Sequence, residues 1–253
     1  MEQKKFNFTP ELYDLQVNWS QRLEKEKFFF TGILKQRKVT NLLDIGCGTG
    51  YHAQFFSDYV ERITAVDPSD EMINYARENV IKSKNIELLK CGFEDLEKLV
   101  AGKYDLIVCL GNTLPLLGNR RNVKLALKNT RKKLADGGLA IFQFLNFEPK
   151  IIEKNSYYQP KIFTKDNKKY IFMKHFEYGK LKTRADFIIT VLDIQDKVEN
   201  FYVNSSNFCT LRKKLFLKMA ENSGFKKIDL LSTDGNKMFD SKKHISLYAL
   251  LYR

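Results

Sequence analysis

The chain has 253 residues, of which 43% are hydrophobic and 29% charged, with 13 glycines and 5 prolines. That balance suits one large soluble domain, or one domain with a sizeable insertion, and it excludes disordered, collagen-like and low-complexity classes. The net charge of +13 admits a polyanionic partner such as nucleic acid, but the basic residues are scattered along the chain, as on an ordinary lysine-rich surface.

Residues 10–37 repeat apolar positions at spacings of three and four, including Leu12, Leu15, Trp19, Leu23, Phe29, Ile33 and Leu34. The spacing predicts two helices or one kinked helix, forming a helical cap over residues 1–37. A short apolar run at 39–45, closed by Gly46, is a first strand. Residues 51–59 form a helix, 62–66 a second strand ending at Asp67, and Ser69 or Asp70 caps a helix reaching about residue 81. Strand three covers 86–90, a short helix 94–100 and strand four 104–110. Helix 119–135 is stopped by Asp136-Gly137-Gly138, and strand five runs over 139–145. Strands alternating with helices in this way imply an α/β fold, a doubly wound and mostly parallel sheet joined by right-handed crossovers.

From 148 to 207 the pattern changes to period two, rich in aromatic and β-branched residues. This predicts an antiparallel β insertion after strand five, with turns at Asp166-Asn167, Tyr178-Gly179 and Gln195-Asp196. A helix at 210–222, ended by Gly224, and strands at 227–231 and 244–250 then complete a seven-stranded sheet. The main domain is therefore 1–147 with 208–253. The insertion, 148–207, is expected to act as a substrate lid or an oligomer contact, so a homo-oligomer is one expectation.

The strongest chemical signal is the run from Leu42 to Gly50, LLDIGCGTG, between a strand and a helix. Alternate glycines let the backbone turn tightly and approach a ligand closely, and the helix behind offers unpaired N–H groups. A dinucleotide fingerprint would place a third glycine where this chain has Tyr51, so the spacing favours a different nucleoside ligand. Asp67, at the end of strand two, is placed to accept hydrogen bonds from both hydroxyls of a ribose.

LLDIGCGTG resembles the first motif of the class I S-adenosylmethionine-dependent methyltransferases, which have a Rossmann-like fold. AVDPSDEM (65–72), KCGFEDL (90–96) and YDLIVCLGNTL (104–114) resemble the second, third and fourth. The resemblance implies S-adenosylmethionine as cofactor and S-adenosylhomocysteine as product. It places Asp44, Gly46, Gly48, Asp67, Pro68, Met72, Gly92, Phe93, Glu94 and Leu110 around that cofactor, with Tyr13 and Arg22 contributed by the helical cap. Arg22 matches the arginine that pairs with the methionyl carboxylate.

CLGNT and the later GGLAIFQFLNFE are similar to the glycine and sarcosine N-methyltransferase branch. The resemblance implies that Asn112 touches the acceptor amine. In that branch an arginine clamps the substrate carboxylate just before an Asn-aromatic-acid triplet, which here is Asn146-Phe147-Glu148. The preceding residue is Leu145, which cannot neutralise a buried carboxylate. Glycine and sarcosine are therefore not expected as acceptors, and any amino-acid acceptor needs another cation, such as Arg184. Tyr157, Tyr158, Tyr170, Tyr178 and Tyr202 are candidate lid residues.

The remaining conspicuous residues carry less. Cys47, Cys91, Cys109 and Cys209 lack paired spacing and are expected as reduced thiols, Cys109 inside a strand. His52, His175 and His244 stand far apart, so no metal site is expected. No apolar run approaches the length of about 18 residues needed to span a membrane, and the N-terminus lacks a signal core, so a cytoplasmic protein without a membrane partner is expected. Three functions remain: methyl transfer to a nitrogen or oxygen of a small molecule, methyl transfer to RNA, and cofactor binding without catalysis.

Overall fold

The fold is described from a computed structural model, over residues 9–148, 157–178, 184–194, 198–233 and 237–253. Two helices open it, α1 (Pro10–Gln16) and α2 (Trp19–Arg37). Each begins on a side-chain cap: Thr9 accepts from Leu12 N, with Pro10 in the first turn, and Asn18 accepts from Gln21 N. The sheet then builds through β1 (Asn41–Ile45), α3 (Tyr51–Phe56), β2 (Arg62–Asp67), α4 (Asp70–Tyr75), β3 (Ile86–Lys90), α5 (Leu96–Leu99), β4 (Tyr104–Cys109), α6 (Arg120–Lys133) and β5 (Leu134–Leu145). Ser69 caps α4 through Met72 N, and a π-turn at Ala76–Val80 continues that helix.

After the insertion come α7 (Lys213–Asn222), β10 (Lys227–Ser232) and β11 (Ser246–Tyr252), giving a seven-stranded sheet ordered β10-β11-β5-β4-β1-β2-β3. The pairs among β1 to β5 are parallel, and β11 runs antiparallel to both neighbours. This is the doubly wound α/β sheet expected from the alternation of elements. The strand order reverses between β1 and β4, and in open α/β sheets ligands bind at such a point, beyond the carboxyl ends of the strands. Leu42, Leu43, Ile45, Leu106, Ile107, Ile141 and Phe142 are all sealed from solvent, as strands covered on both faces require.

One boundary departs from expectation. Asp136-Gly137-Gly138 does not stop a helix, because α6 ends at Lys133 and all three residues lie within β5. The β4–β5 register shifts between Tyr104 and Leu106. Gly137 adopts φ +73°, and a Cβ on Gly138 would stand 2.6 Å from Leu134 Cδ2 and 2.9 Å from the Ala135 carbonyl oxygen. The glycines permit a bulge in the strand.

The insertion is a separate antiparallel sheet ordered β6 (Lys161–Lys165), β7 (Lys168–Tyr178), β8 (Arg184–Ile194) and β9 (Val198–Cys209). Asp166 and Asn167 form the first turn, both with positive φ (51° and 61°), as a two-residue hairpin of the primed type requires. The other two expected turns fall at 179–183 and 195–197, outside the described residues. The insertion sheet is anchored by aromatic packing, with Phe147 6.1 Å from Phe176 and 6.3 Å from Phe208 between ring centroids. Among the described residues, no helix is long and apolar enough to cross a membrane.

The triplet at the end of β5 serves this architecture. Asn146 Nδ2 donates to the Ser241 and His244 carbonyls, Asn146 N donates to Ile245 O, and Glu148 Oε1 accepts from Lys213 N at the start of α7. Asn146→Ala should lower stability by about 1–3 kcal/mol, because both carbonyls lose their donor. Urea unfolding would show this as an earlier midpoint with unchanged slope, and an unshifted midpoint would contradict it.

Candidate functional site

The site forms at the switch point from three loops and the helical cap. After β1 the chain turns through Gly46, Gly48 and Gly50, all with positive φ (72°, 54° and 86°). Gly46 also lies against the loop after β4, where an added Cβ would stand 2.3 Å from Thr113 Cγ2. Only glycine meets both conditions. Gly46 N and Cys47 N donate to Val66 O, fastening the loop to the end of β2.

Asp67 closes β2. Its Oδ2 accepts from Gly48 N at 3.0 Å and its Oδ1 from Ser69 N at 2.9 Å. Both oxygens are thus oriented before any ligand arrives, and each retains a further lone pair. Burial raises the Asp67 carboxyl above its ordinary range against these two N–H bonds. Asp44, at the base of the glycine loop, is fully enclosed, and its Oδ2 has no hydrogen-bond partner. Burial, with a smaller contribution from Asp67, pushes its carboxyl up to about 7, while Arg22 opposes.

The cap supplies Tyr13 and Arg22. A Cβ on Gly111 would stand 3.8 Å from Arg22 Nη1, 3.9 Å from Nη2 and 3.8 Å from the Tyr13 hydroxyl. The guanidinium therefore faces the bare backbone of the loop after β4. Arg22 Nε donates to Glu26 Oε1 at 3.1 Å, and the guanidinium lies 5.2 Å over the Trp19 ring. Glu26 is buried and holds more than Arg22. Its Oε2 meets His52 Nε2 at 2.8 Å, and the Tyr248 hydroxyl donates to Oε1 at 3.3 Å.

Burial works to raise the Glu26 carboxyl, but His52 and Arg22 outweigh it and the group is lowered. Burial lowers His52 against the opposing pull of Glu26, and the carboxylate accepts from the Nε2 N–H. Asp14 makes a second tie from the cap. Its Oδ1 accepts from Thr49 Oγ1 at 2.7 Å and from Trp19 Nε1 at 2.8 Å, and Trp19 stacks on Tyr51 at 4.8 Å. Sequence reasoning missed both acids. The available signal for Glu26 was an acid on the buried stripe shared with Trp19, Phe30 and Leu34, four residues after Arg22.

On the acceptor side, Asn112 takes φ 71°. Its Oδ1 accepts from Leu145 N at 2.7 Å and its N donates to Gln143 O, while Gly111 N donates to Gln143 Oε1 at 2.7 Å. Its side chain therefore also joins β4 to β5, with Nδ2 as a donor and one lone pair left on Oδ1. Leu110 and Phe93 have their side chains in the apolar core, and the Phe93 carbonyl accepts from Asn129. Gly92 lies under the Glu94 carboxylate, Glu94 and Pro68 are exposed, and Met72 is half-buried in the first turn of α4. Tyr158, Tyr170 and Tyr178 are half-buried and Tyr157 is exposed. The side chains of Arg184 and Tyr202 lie outside what the structure describes. His175 and His244 make local contacts, with Tyr157 and Asp240. The four cysteines are buried and unpaired with one another, and among the described residues no cluster could hold a metal.

Residues 42–138 match a family model described as a methyltransferase domain. The chain is 30% identical over 137 residues to a glycine/sarcosine N-methyltransferase of Halorhodospira halochloris, covering 54% of this chain and 51% of that one. It is 29% identical over 168 residues to a human glycine N-methyltransferase, covering 57% and 56% respectively. It thus spans about half the length of these relatives. Two solved structures share the fold: an S-adenosylmethionine-dependent methyltransferase from Clostridium acetobutylicum (TM-score 0.75, 18% identity, 96% of this chain and 94% of that one) and an S-adenosylmethionine-bound amino pentose methyltransferase from Micromonospora echinaspora (TM-score 0.74, 14% identity, 100% of both).

Asp44 gives the site a measurable signature. The folded protein retains a proton that the unfolded chain releases, so Asp44 reduces stability as pH rises from about 4 to about 7. Asp44→Asn should then melt several degrees above the parent at about pH 8 and close to it near pH 4. A variant that melts below the parent at both values would contradict this.

Proposed function

We propose that this chain, which carries a class I S-adenosylmethionine-dependent methyltransferase domain, transfers a methyl group to a nitrogen of a small molecule. The observation that carries the reading is the convergence of the glycine loop, Asp67, an unpartnered Asp44 oxygen and the Arg22 guanidinium at the sheet's switch point. These groups match the parts of S-adenosylmethionine by chemistry. Asp67 suits the ribose hydroxyls, Arg22 the methionyl carboxylate, and Asp44 the methionyl ammonium, whose charge would also favour the ionised carboxyl. Tyr13 adds a hydroxyl beside Arg22, and the loop over 92–94 lines the adenine side. When bound, that cofactor supplies a methyl group on a sulfonium, already electrophilic.

The protein's own work is then to bind, orient and exclude water. Positioning of this kind supplies about 7–11 kcal/mol of a reaction barrier. Asn112, fixed between β4 and β5, orients the acceptor through Nδ2 and the spare lone pair on Oδ1. An acceptor amine must be neutral to react, and the apolar setting of Leu145 and the aromatic insertion disfavours its charged form. The proton released on methylation passes to solvent, so no dedicated base is required. The insertion acts as the lid over this acceptor side. The two relatives described above are named as N-methyltransferases of glycine or of glycine and sarcosine, which supports nitrogen as the acceptor atom. Leu145 presents no cation at the end of β5, so glycine has no partner there for its carboxylate.

Asp67→Ala should weaken S-adenosylmethionine binding by about 1.5–3 kcal/mol, the range for a hydrogen bond to a charged group. Arg22→Leu should lose affinity, and Arg22→Lys should recover only part of it, because the planar bidentate geometry is gone. Calorimetry that finds parent affinity in Asp67→Ala, or in both Arg22 variants, would contradict the binding assignment.

The acceptor class is tested by methyl transfer to glycine, sarcosine, a panel of larger amines, and bulk tRNA. Product is expected from the amine panel. Turnover of glycine at ordinary enzyme rates, about 1–1000 per second, would refute the reading of Leu145. Methylation of tRNA alone would point to RNA, and no product at all would point to a binder without turnover.

A further inference from the structure

The insertion sheet has one face toward the main domain and one toward solvent. On β7, Phe172 and Phe176 are buried, whereas His175 on the opposite face stacks with the exposed Tyr157. Phe172 clusters with Ile189 and Val191, against which Leu12 and Leu15 of α1 pack. Phe176 meets Phe147, just beyond the end of β5. The inner face therefore extends from the helix that carries Tyr13 to the strand end that carries Leu145.

Lys174 lies midway along this face, between Phe172 and Phe176 in the two-residue period of the strand. It is half-buried on an interior strand, opposite Ile189 of β8, and Asn204 of β9 is the next residue along that row. Lys161 of β6 shares the face, paired with Phe172. No described residue forms an ion pair or hydrogen bond with the Lys174 ammonium. Burial, aided by Lys161, pulls that group down to about 8. A half-buried charge kept unpaired costs stability unless a ligand neutralises it.

We propose that Lys174, with Lys161 beside it, forms an anion-binding subsite for a carboxylate on the methyl acceptor. This rests on the proposed function and deepens it. The acceptor is an amino carboxylate larger than glycine, with its amine toward Asn112 and its anion against the insertion.

The test has two arms. The first is thermal unfolding of the parent, Lys174→Met and Lys174→Arg without acceptor. Lys174→Met should melt at or above the parent, because it removes an unpaired half-buried charge, and a fall of several degrees would make Lys174 a structural residue and overturn the proposal. The second is calorimetric titration of the S-adenosylhomocysteine-saturated proteins with 4-aminobutyrate, phenylalanine and 3-aminobenzoate, each beside its carboxamide. At least one carboxylate should bind the parent about tenfold or more tightly than its amide, with the preference lost in Lys174→Met and retained in Lys174→Arg. No carboxylate preference in the parent, or one that survives Lys174→Met, would overturn it. A parent that fails to bind S-adenosylhomocysteine would instead reject the functional reading, and the titrations would then be run on the protein alone.

Discussion

The site depends on one buried carboxylate, Glu26. It lies on the face of α2 that enters the core, where an isolated charge would cost several kcal/mol. It is tolerated because the Arg22 guanidinium, the His52 imidazole and the Tyr248 hydroxyl all converge on it. These partners come from α2, from the helix behind the glycine loop and from the final strand. A single anion thus joins the helical cap to both halves of the sheet while fixing the Arg22 side chain through Nε. The terminal nitrogens of Arg22 are then directed at Gly111, where the absence of a side chain leaves room.

The rest of the site follows the same rule: polar groups are committed on one side so that they are oriented on the other. Each Asp67 oxygen accepts one backbone N–H, which fixes the carboxylate without exhausting it. Asn112 gives one lone pair to Leu145 N and keeps its remaining capacity. Gln143 accepts from Gly111 N through its side-chain Oε1 and from Asn112 N through its carbonyl. Such preorganisation lowers the ordering cost of binding, since the rotamers are set during folding. Asp44 and Asp14 depart from that rule, each with its Oδ2 unpartnered; at Asp44, at the base of the glycine loop, a cationic ligand group would satisfy the deficit.

The sheet was legible in the sequence because its central strands are buried on both faces and read as apolar runs closed by glycine or aspartate, as at Ile45-Gly46 and Val66-Asp67. The insertion was legible because its inner face alternates with an exposed one, as β9 shows in the exposed Val203 and the buried Phe208. Asp136-Gly137-Gly138 misled, because the same residues that stop a helix also permit a bulge, and the choice is made by pairing with β4, a contact distant in sequence. Gln143, Asp14 and Glu26 were not singled out for the same reason. Each is an ordinary polar residue locally and acquires its role from a partner 32 to 222 positions away, as in Gln143 with Gly111, Asp14 with Thr49 or Glu26 with Tyr248. Lys174 carries a sequence signal, a cation in register with Phe172 and Phe176, but its meaning depends on which face of the sheet meets the main domain.

The most direct test of this account is a crystal structure of the protein with S-adenosylhomocysteine. The account predicts the ribose hydroxyls on Asp67, the homocysteine carboxylate on Arg22, its amino group on the free oxygen of Asp44, and the sulfur directed toward Asn112. A ligand seated elsewhere, or one seated in the glycine loop with Arg22 still turned away from its carboxylate, would contradict it.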